Sequence, residues 1–185
     1  MKTNFEPFPI LETSRLVLRK FTEKDALDLF EIRSNPEMLD FTDGKVDEFI
    51  DDTIRFIKII NNGIDKEKWI NFAIVYKPNK KLIGSINLWN FDYKLKKAEV
   101  GYALNPLYQK RGLMTEALEA VVKYGFEEMG LDLIEIWTDH RNTSSIKLAE
   151  RVGFKYIKTE LEQGYYKKQT FKMLVYQLRR NEVWV

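Results

Sequence analysis

Seven consecutive residues, Gln109-Lys110-Arg111-Gly112-Leu113-Met114-Thr115, join two cations and a glycine to the start of a helical pattern. The segment before them, Glu99 to Pro106, is β-prone and stops at a proline. After them Leu118, Val121, Val122, Gly125, Phe126 and Met129 recur at the spacing of one helix face. A basic turn feeding a helix N-terminus brings unsatisfied backbone N–H groups and the positive end of the helix dipole to one point, which suits an anion. Gly112 allows close backbone approach without a Cβ in the way. Lys110 and Arg111 add charge suited to phosphate oxygens. The chemistry implied is pyrophosphate binding. The turn is neither a dinucleotide fingerprint nor a Walker loop, and a solvated basic loop capping an ordinary helix would carry the same residues.

A second segment stands downstream: Asn142-Thr143-Ser144-Ser145-Ile146-Lys147-Leu148-Ala149-Glu150-Arg151-Val152-Gly153-Phe154, after the strand-like run Leu133 to Thr138. Asn142 suits a helix N-cap, while Ile146, Leu148, Ala149 and Val152 supply a buried side and Gly153 a stop. Q-x-x-G before one helix, paired with N-x-x-S…G-F around the next, closely resembles the GNAT superfamily of acyl-CoA N-acyltransferases. Leu11 to Arg19 looks like the opening strand of the branch that holds the ribosomal-protein alanine N-acetyltransferases. The resemblance runs from about residue 10 to 178, in three segments in the right order.

What the resemblance implies is an acetyl-CoA-dependent transfer to a primary amine. Backbone groups of Tyr102, Ala103 and Leu104 would align the pantetheine arm, one N–H polarising the thioester carbonyl. Amides from Gln109 through Lys110, Arg111, Gly112, Leu113 and Met114 to Thr115 would cradle the pyrophosphate. Asn142, Ser145 and Leu148 would meet the pantetheine side. Two positions depart from the usual pattern. Met114 stands where glycine or alanine is commoner, and Ala149 stands where many members place a tyrosine that protonates the departing thiolate. That role must then fall elsewhere or to water; Ser145 is the nearest candidate, favoured by resemblance to the same branch.

Acyl transfer needs a neutral amine, a donor for the oxyanion and a proton for the thiolate, and much of its rate can come from alignment alone. Glu99 is the first candidate for general base because it opens the strand that leads to the phosphate turn. Its bland alternative is an ion pair with Lys97 or another cation. Glu160 and Glu162 are weaker candidates. His140, the lone histidine, reads as a loop residue whose titration range would nonetheless suit proton transfer. Phe41, Trp89 and Tyr93 are candidates for an acceptor pocket, although aromatic residues usually belong to cores.

Composition agrees with a single soluble enzyme, and the resemblance implies one GNAT-like N-acetyltransferase domain over 1–185. Such a chain can bury about 70% of its unfolded surface, and 44% apolar residues with 14% aromatics are ample for a core. A net charge of +2 gives no footprint for direct nucleic-acid binding. No apolar run reaches membrane-span length and Met1 to Ile10 is not a signal peptide, so the reading is cytoplasmic. Without cysteine, disulfides and thiolate catalysis are excluded, and one histidine builds no metal cluster, so no metal is expected. The leading acceptor is a protein N-terminus of the alanine type, as in a ribosomal protein; the alternatives are a small amine such as a polyamine, amino acid or aminoglycoside, and no acceptor at all in a non-catalytic acyl-CoA sensor. Related families often look dimeric, so a homodimer is compatible.

The elements that must position these residues follow from pattern. Arg15 to Arg19 alternates as a strand, a cap at Thr22 to Asp25 opens a helix, and Val46 to Ile60 reads as a second helix. Strands are expected at 70–76, 82–89, 97–104, 133–138, 154–159 and 170–178, with Lys77 to Lys80 as a turn. Strands that first meander and then alternate with helices predict an α/β (mixed α+β) fold: a mostly antiparallel twisted sheet of about seven strands flanked by about four helices. The resemblance adds that two central strands, near 99–104 and 133–138, splay apart.

Overall fold

The computed structural model describes residues 1–182. Eight strands form one sheet: β1 (Leu11–Glu12), β2 (Leu16–Arg19), β3 (Ile70–Tyr76), β4 (Lys81–Asp92), β5 (Lys97–Leu104), β6 (Leu133–Asp139), β7 (Lys155–Gln163) and β8 (Thr170–Arg179). Their order is β1-β2-β3-β4-β5-β6-β8-β7, antiparallel throughout except for the β5–β6 pair. The helices are α1 (Ala26–Arg33), α2 (Ile50–Asp65), α3 (Leu113–Glu127) and α4 (Thr143–Val152). The eighth strand is the two-residue β1, too short to leave an alternating pattern in the sequence.

Helix α1 packs on α2 and on β4, while α3 lies across β2, β4 and β6 and also meets α4. The apolar stripe expected on α3 is buried as read, with Leu118, Val121, Val122 and Phe126 in the core beside Leu88 and Ile134. Both boundaries of α2 moved. Helix α2 starts at Ile50 rather than Val46, because Asp52 accepts hydrogen bonds from the N–H groups of Glu48 and Phe49 and fixes the first turn there. It also runs past Ile60, through Asn61-Asn62-Gly63, to Asp65. Gly63 is there for packing, since a Cβ on it would lie 2.0 Å from the Trp69 ring. Of the expected face on α2, Thr53, Ile57 and Ile60 are buried, but Phe49 is exposed.

Strand β4 extends to Asp92, three residues beyond expectation, through a bulge between Trp89 and Asp92 with Asn90 at φ +51°. Asparagine tolerates that left-handed conformation better than most side chains. Strand β7 likewise runs on to Gln163.

Candidate active site

The pairing of β5 with β6 is brief. Lys97, Ala98 and Glu99 pair with Leu133, Ile134 and Glu135, and then the strands part. Val100–Leu104 on one side and Ile136–Asp139 on the other continue without each other. Backbone polar groups inside a sheet demand partners, so this gap is a place for an extended ligand that carries its own amides, as an added strand would.

The basic turn sits at the end of β5. Gly112 has φ +74° and is the N-cap of α3 with no side-chain cap, so the first helical amides are left for a ligand. Lys110 is also left-handed, at φ +59°. Gln109, Lys110 and Arg111 are exposed, whereas the Leu113 side chain is in the core and Met114 packs against it. Gln109 spends its amide on the Leu104 carbonyl, at 3.1 Å, tying the turn to β5. Two arginines not singled out from the sequence complete the cationic end. Arg15 reaches the Arg111 carbonyl at 2.9 Å and pairs with Glu116 at 2.8 Å. Arg151 of α4 lies 3.4 Å from the Thr115 hydroxyl. Glu116 locks this corner by accepting also from Thr13 and from the Arg15 N–H. Burial pushes the Glu116 carboxyl up, but those hydrogen bonds outweigh it and hold it below the ordinary glutamate value.

Across the gap, Asn142 caps α4 by accepting from the Ser145 N–H at 3.1 Å. Ser145 is buried, and its hydroxyl lies 2.8 Å from the Tyr102 phenol of β5. Leu148 and Ala149 are buried in the core. Ala103 is partly buried and Leu104 buried on β5.

Glu99 stands where the strands part, in register with Glu135. The ion pair suspected for it is absent: Lys97 turns to Glu135, at 3.0 Å. Glu135 also accepts from Gln177 at 2.6 Å and the Trp137 indole at 3.2 Å. Burial pushes Glu135 up, and this set of donors more than reverses it, so Glu135 is held low and ionised. Among the described residues Glu99 has only Asn90, delivered by the β4 bulge. Burial, with the charges of Glu135 and Glu162 behind it, raises Glu99 above the ordinary glutamate value against the opposing pull of Asn90 and Lys97. Neighbouring carboxylates whose environments drive them apart mark an acid–base site.

Other candidates are placed less centrally. Trp89 is the cross-strand neighbour of Glu99 and is 45% exposed, an open aromatic beside the carboxylate. Tyr93 lies in the β4–β5 turn and is exposed, its hydroxyl directed to Thr3 at 3.5 Å. Phe41 is partly buried in the loop before α2. His140 is exposed beside Asp139, Nδ1 to Oδ1 3.4 Å, in keeping with a loop residue. Glu160 pairs with Lys158. An open recess of about 820 Å³ lies between the start of α2 and the β7–β8 turn, lined by Arg33, Asp43, Lys45, Phe49, Arg55 and Tyr166. Asp43 clasps its two walls together by accepting from the N–H groups of Tyr165, Tyr166 and Lys167.

The fold is shared. Residues 15–155 match the family model of the acetyltransferase (GNAT) domain. The chain belongs to the GNAT acetyltransferases. The GNAT relatives include the uncharacterized N-acetyltransferase YoaA of Bacillus subtilis (strain 168), 34% identical over 80% of this chain and 83% of that protein. A GNAT-family acetyltransferase from Bacillus anthracis superposes with a TM-score of 0.81, at 25% identity, over 94% of this chain and all of that one. RimL, a ribosomal L7/L12 α-N-protein acetyltransferase in complex with coenzyme A, has a TM-score of 0.82 at 16% identity, over 92% of this chain and 98% of that one. As a GNAT N-acetyltransferase, the protein has the fold and enzyme class that its two motif segments resemble. Among the described residues no helix is long and apolar enough to cross a membrane, and no three histidine or acidic side chains gather as for a metal.

Proposed function

We propose that the protein moves an acetyl group from acetyl-CoA to the α-amine of a protein N-terminus of the alanine type. The observation that carries the donor half is the early parting of β5 and β6 beside an uncapped helix N-terminus ringed by Arg15, Lys110, Arg111 and Arg151. When bound there, acetyl-CoA supplies an activated acyl carbon with a thiolate leaving group.

The chain's own residues do the rest. The amides of residues 112–115 and the surrounding cations hold the diphosphate, and the free backbone edge of residues 100–104 aligns the arm. Glu99, raised toward neutrality, takes a proton from the amine as its nitrogen bonds to the acyl carbon. The carbon–sulfur bond breaks with its electron pair on sulfur, and Ser145 gives sulfur a proton. Solvent then returns the proton held by Glu99 to Ser145, which restores both groups. On the acceptor side, the recess by Asp43 is open and lined by both signs of charge, which favours a peptide end over a polycation.

The test is acetyl-CoA-dependent thiol release against alanine- and serine-starting peptides, spermidine, free amino acids and an aminoglycoside. Release with the peptides is the expected result. Release only with a small amine would reassign the acceptor, and cofactor binding without turnover on any of them would favour a sensor.

A further inference from the structure

The position seven residues after Asn142 is Ala149, fully buried and without a hydroxyl, so the thiolate must be met by another group. Ser145 alone is an uncertain donor, because an alkyl hydroxyl rotates freely and points its hydrogen at whichever acceptor is nearest. The structure supplies what fixes it. Tyr102 comes from β5, beyond the last β5–β6 pair, and its phenol spans to α4 to meet Ser145 Oγ at 2.8 Å. The bond crosses between the two sides of the gap, between the strand that would align the arm and the helix that follows the diverging strand.

Direction follows from acidity. A phenol is a far stronger hydrogen-bond donor than an alkyl hydroxyl, and burial pushes the Tyr102 phenol up to about 12, so it keeps its hydrogen throughout the working pH range. Either hydroxyl could donate across this contact; with the more acidic phenol as donor, Ser145 Oγ accepts. The serine hydrogen is then excluded from Tyr102 and is free for an acceptor in the gap. Among the described residues no other side-chain partner is present at Ser145 Oγ.

We propose that Tyr102 is a positioning residue for acetyl transfer: by donating to Ser145 Oγ it turns the serine hydroxyl hydrogen into the gap, where it meets the departing sulfur. No covalent change occurs at Tyr102. The role rests on the transfer reading above and goes beyond it, because the motif resemblance assigns to Tyr102 backbone contacts only.

The experiment is a double-mutant cycle of Tyr102→Phe, Ser145→Ala and both together. It uses the whole chain with acetyl-CoA and the acceptor found above, and pairs kcat and KM with calorimetric CoA affinity. Tyr102→Phe should lower kcat about tenfold, the scale of one positioned hydrogen bond, with CoA affinity within about twofold of the parent. In the Ser145→Ala background the same change should cost nothing more, since Tyr102 acts only through the serine. Losses that multiply would overturn the proposal, as would an unchanged kcat in Tyr102→Phe or CoA affinity that falls in step with kcat. Should the phenylalanine variant fold poorly, 3,5-difluorotyrosine at position 102 keeps shape while strongly acidifying the phenol. An alkaline limb of kcat that the parent lacks should then appear as the phenol loses the hydrogen it donates, and its absence would refute the role. A parent without turnover defeats the transfer reading and this proposal with it. A parent with turnover and an equal Tyr102→Phe defeats only the role of Tyr102.

Discussion

Glu99 and Glu135 show how two identical side chains, opposite one another in the sheet, are given different work by their neighbours. Glu135 has a lysine, an indole and an amide; Glu99 has one asparagine and a charged carboxylate next door. A folded-state value raised above the ordinary one means that the native state binds its proton more tightly than the unfolded chain does. Stability from this group is therefore fully present below the unfolded value and is lost as pH rises through the folded one. The carboxylate is strained where it is useful. Glu99→Gln should accordingly lower kcat by about a hundredfold or more with CoA affinity intact, while its melting temperature at pH 7 stays equal or rises. In the parent, kcat/KM should fall as pH drops through the raised Glu99 value, and that acid limb should vanish in the glutamine variant. A pH–rate series on both proteins checks this; a parent-like limb in the variant removes Glu99 from the mechanism.

At the scale of elements, the corner that holds the phosphate turn depends on a strand remote in sequence. Glu116 joins α3 to Thr13 and Arg15, and Arg15 holds the turn through the Arg111 carbonyl. Because Glu116 is held below its ordinary value, its contribution to stability is present above the unfolded value and is lost as pH falls through the folded one. Glu116→Gln should therefore melt lower than the parent at pH 7, with the difference closing as acid protonates the parent's carboxylate. Melting curves over pH 3 to 7 read it. Gly112 is constrained differently. A Cβ there would find only Arg15 Nη2, at 3.5 Å, so space is available and conformation is the obstacle. At φ +74° a β-branched residue costs about 1–3 kcal/mol of local strain. Gly112→Val should escape by reshaping the turn and should weaken CoA binding at least tenfold in calorimetry; unchanged affinity would displace the diphosphate from this turn.

Over the whole molecule, the loop before α2 and the β7–β8 turn meet only through folding, and Asp43 fastens them by three backbone N–H donors. The carboxyl is held below the ordinary aspartate value, first by the Lys167 N–H. The clasp shapes the recess proposed for the acceptor while lying far along the chain from the phosphate turn. Asp43→Ala should raise acceptor KM and speed amide exchange at Tyr165 to Lys167, with the KM for acetyl-CoA unchanged. Equal shifts in both Michaelis constants would mean that the recess is not a separate acceptor site.

Local chemistry was legible in the sequence wherever neighbours in the chain were sufficient. The α3 stripe, the Asn142 cap, the turn at Lys77 to Lys80 and the limits of β3 and β5 all rest on contacts within a few residues, and all were read from pattern. So was the basic turn at a helix N-terminus, because glycine, cations and helix start are contiguous. What pattern could not reach is whatever joins distant segments. Helix α2 runs on past Ile60 through Gly63, whose packing against Trp69 is a tertiary contact. Asn90 reaches Glu99 through a bulge, Lys97 prefers Glu135, and Arg15 and Arg151 arrive at the phosphate turn from other elements. Ser145 was readable as a candidate from its place after Asn142, but the phenol that lies 2.8 Å from its hydroxyl was not. The sequence by itself determined most of the elements, the basic turn at a helix N-terminus and the family resemblance, since short-range periodicity and capping encode them. Only the tertiary structure decided which carboxylate stays uncompensated and which hydroxyls meet, because charge and hydrogen-bond partners are set by distance in space.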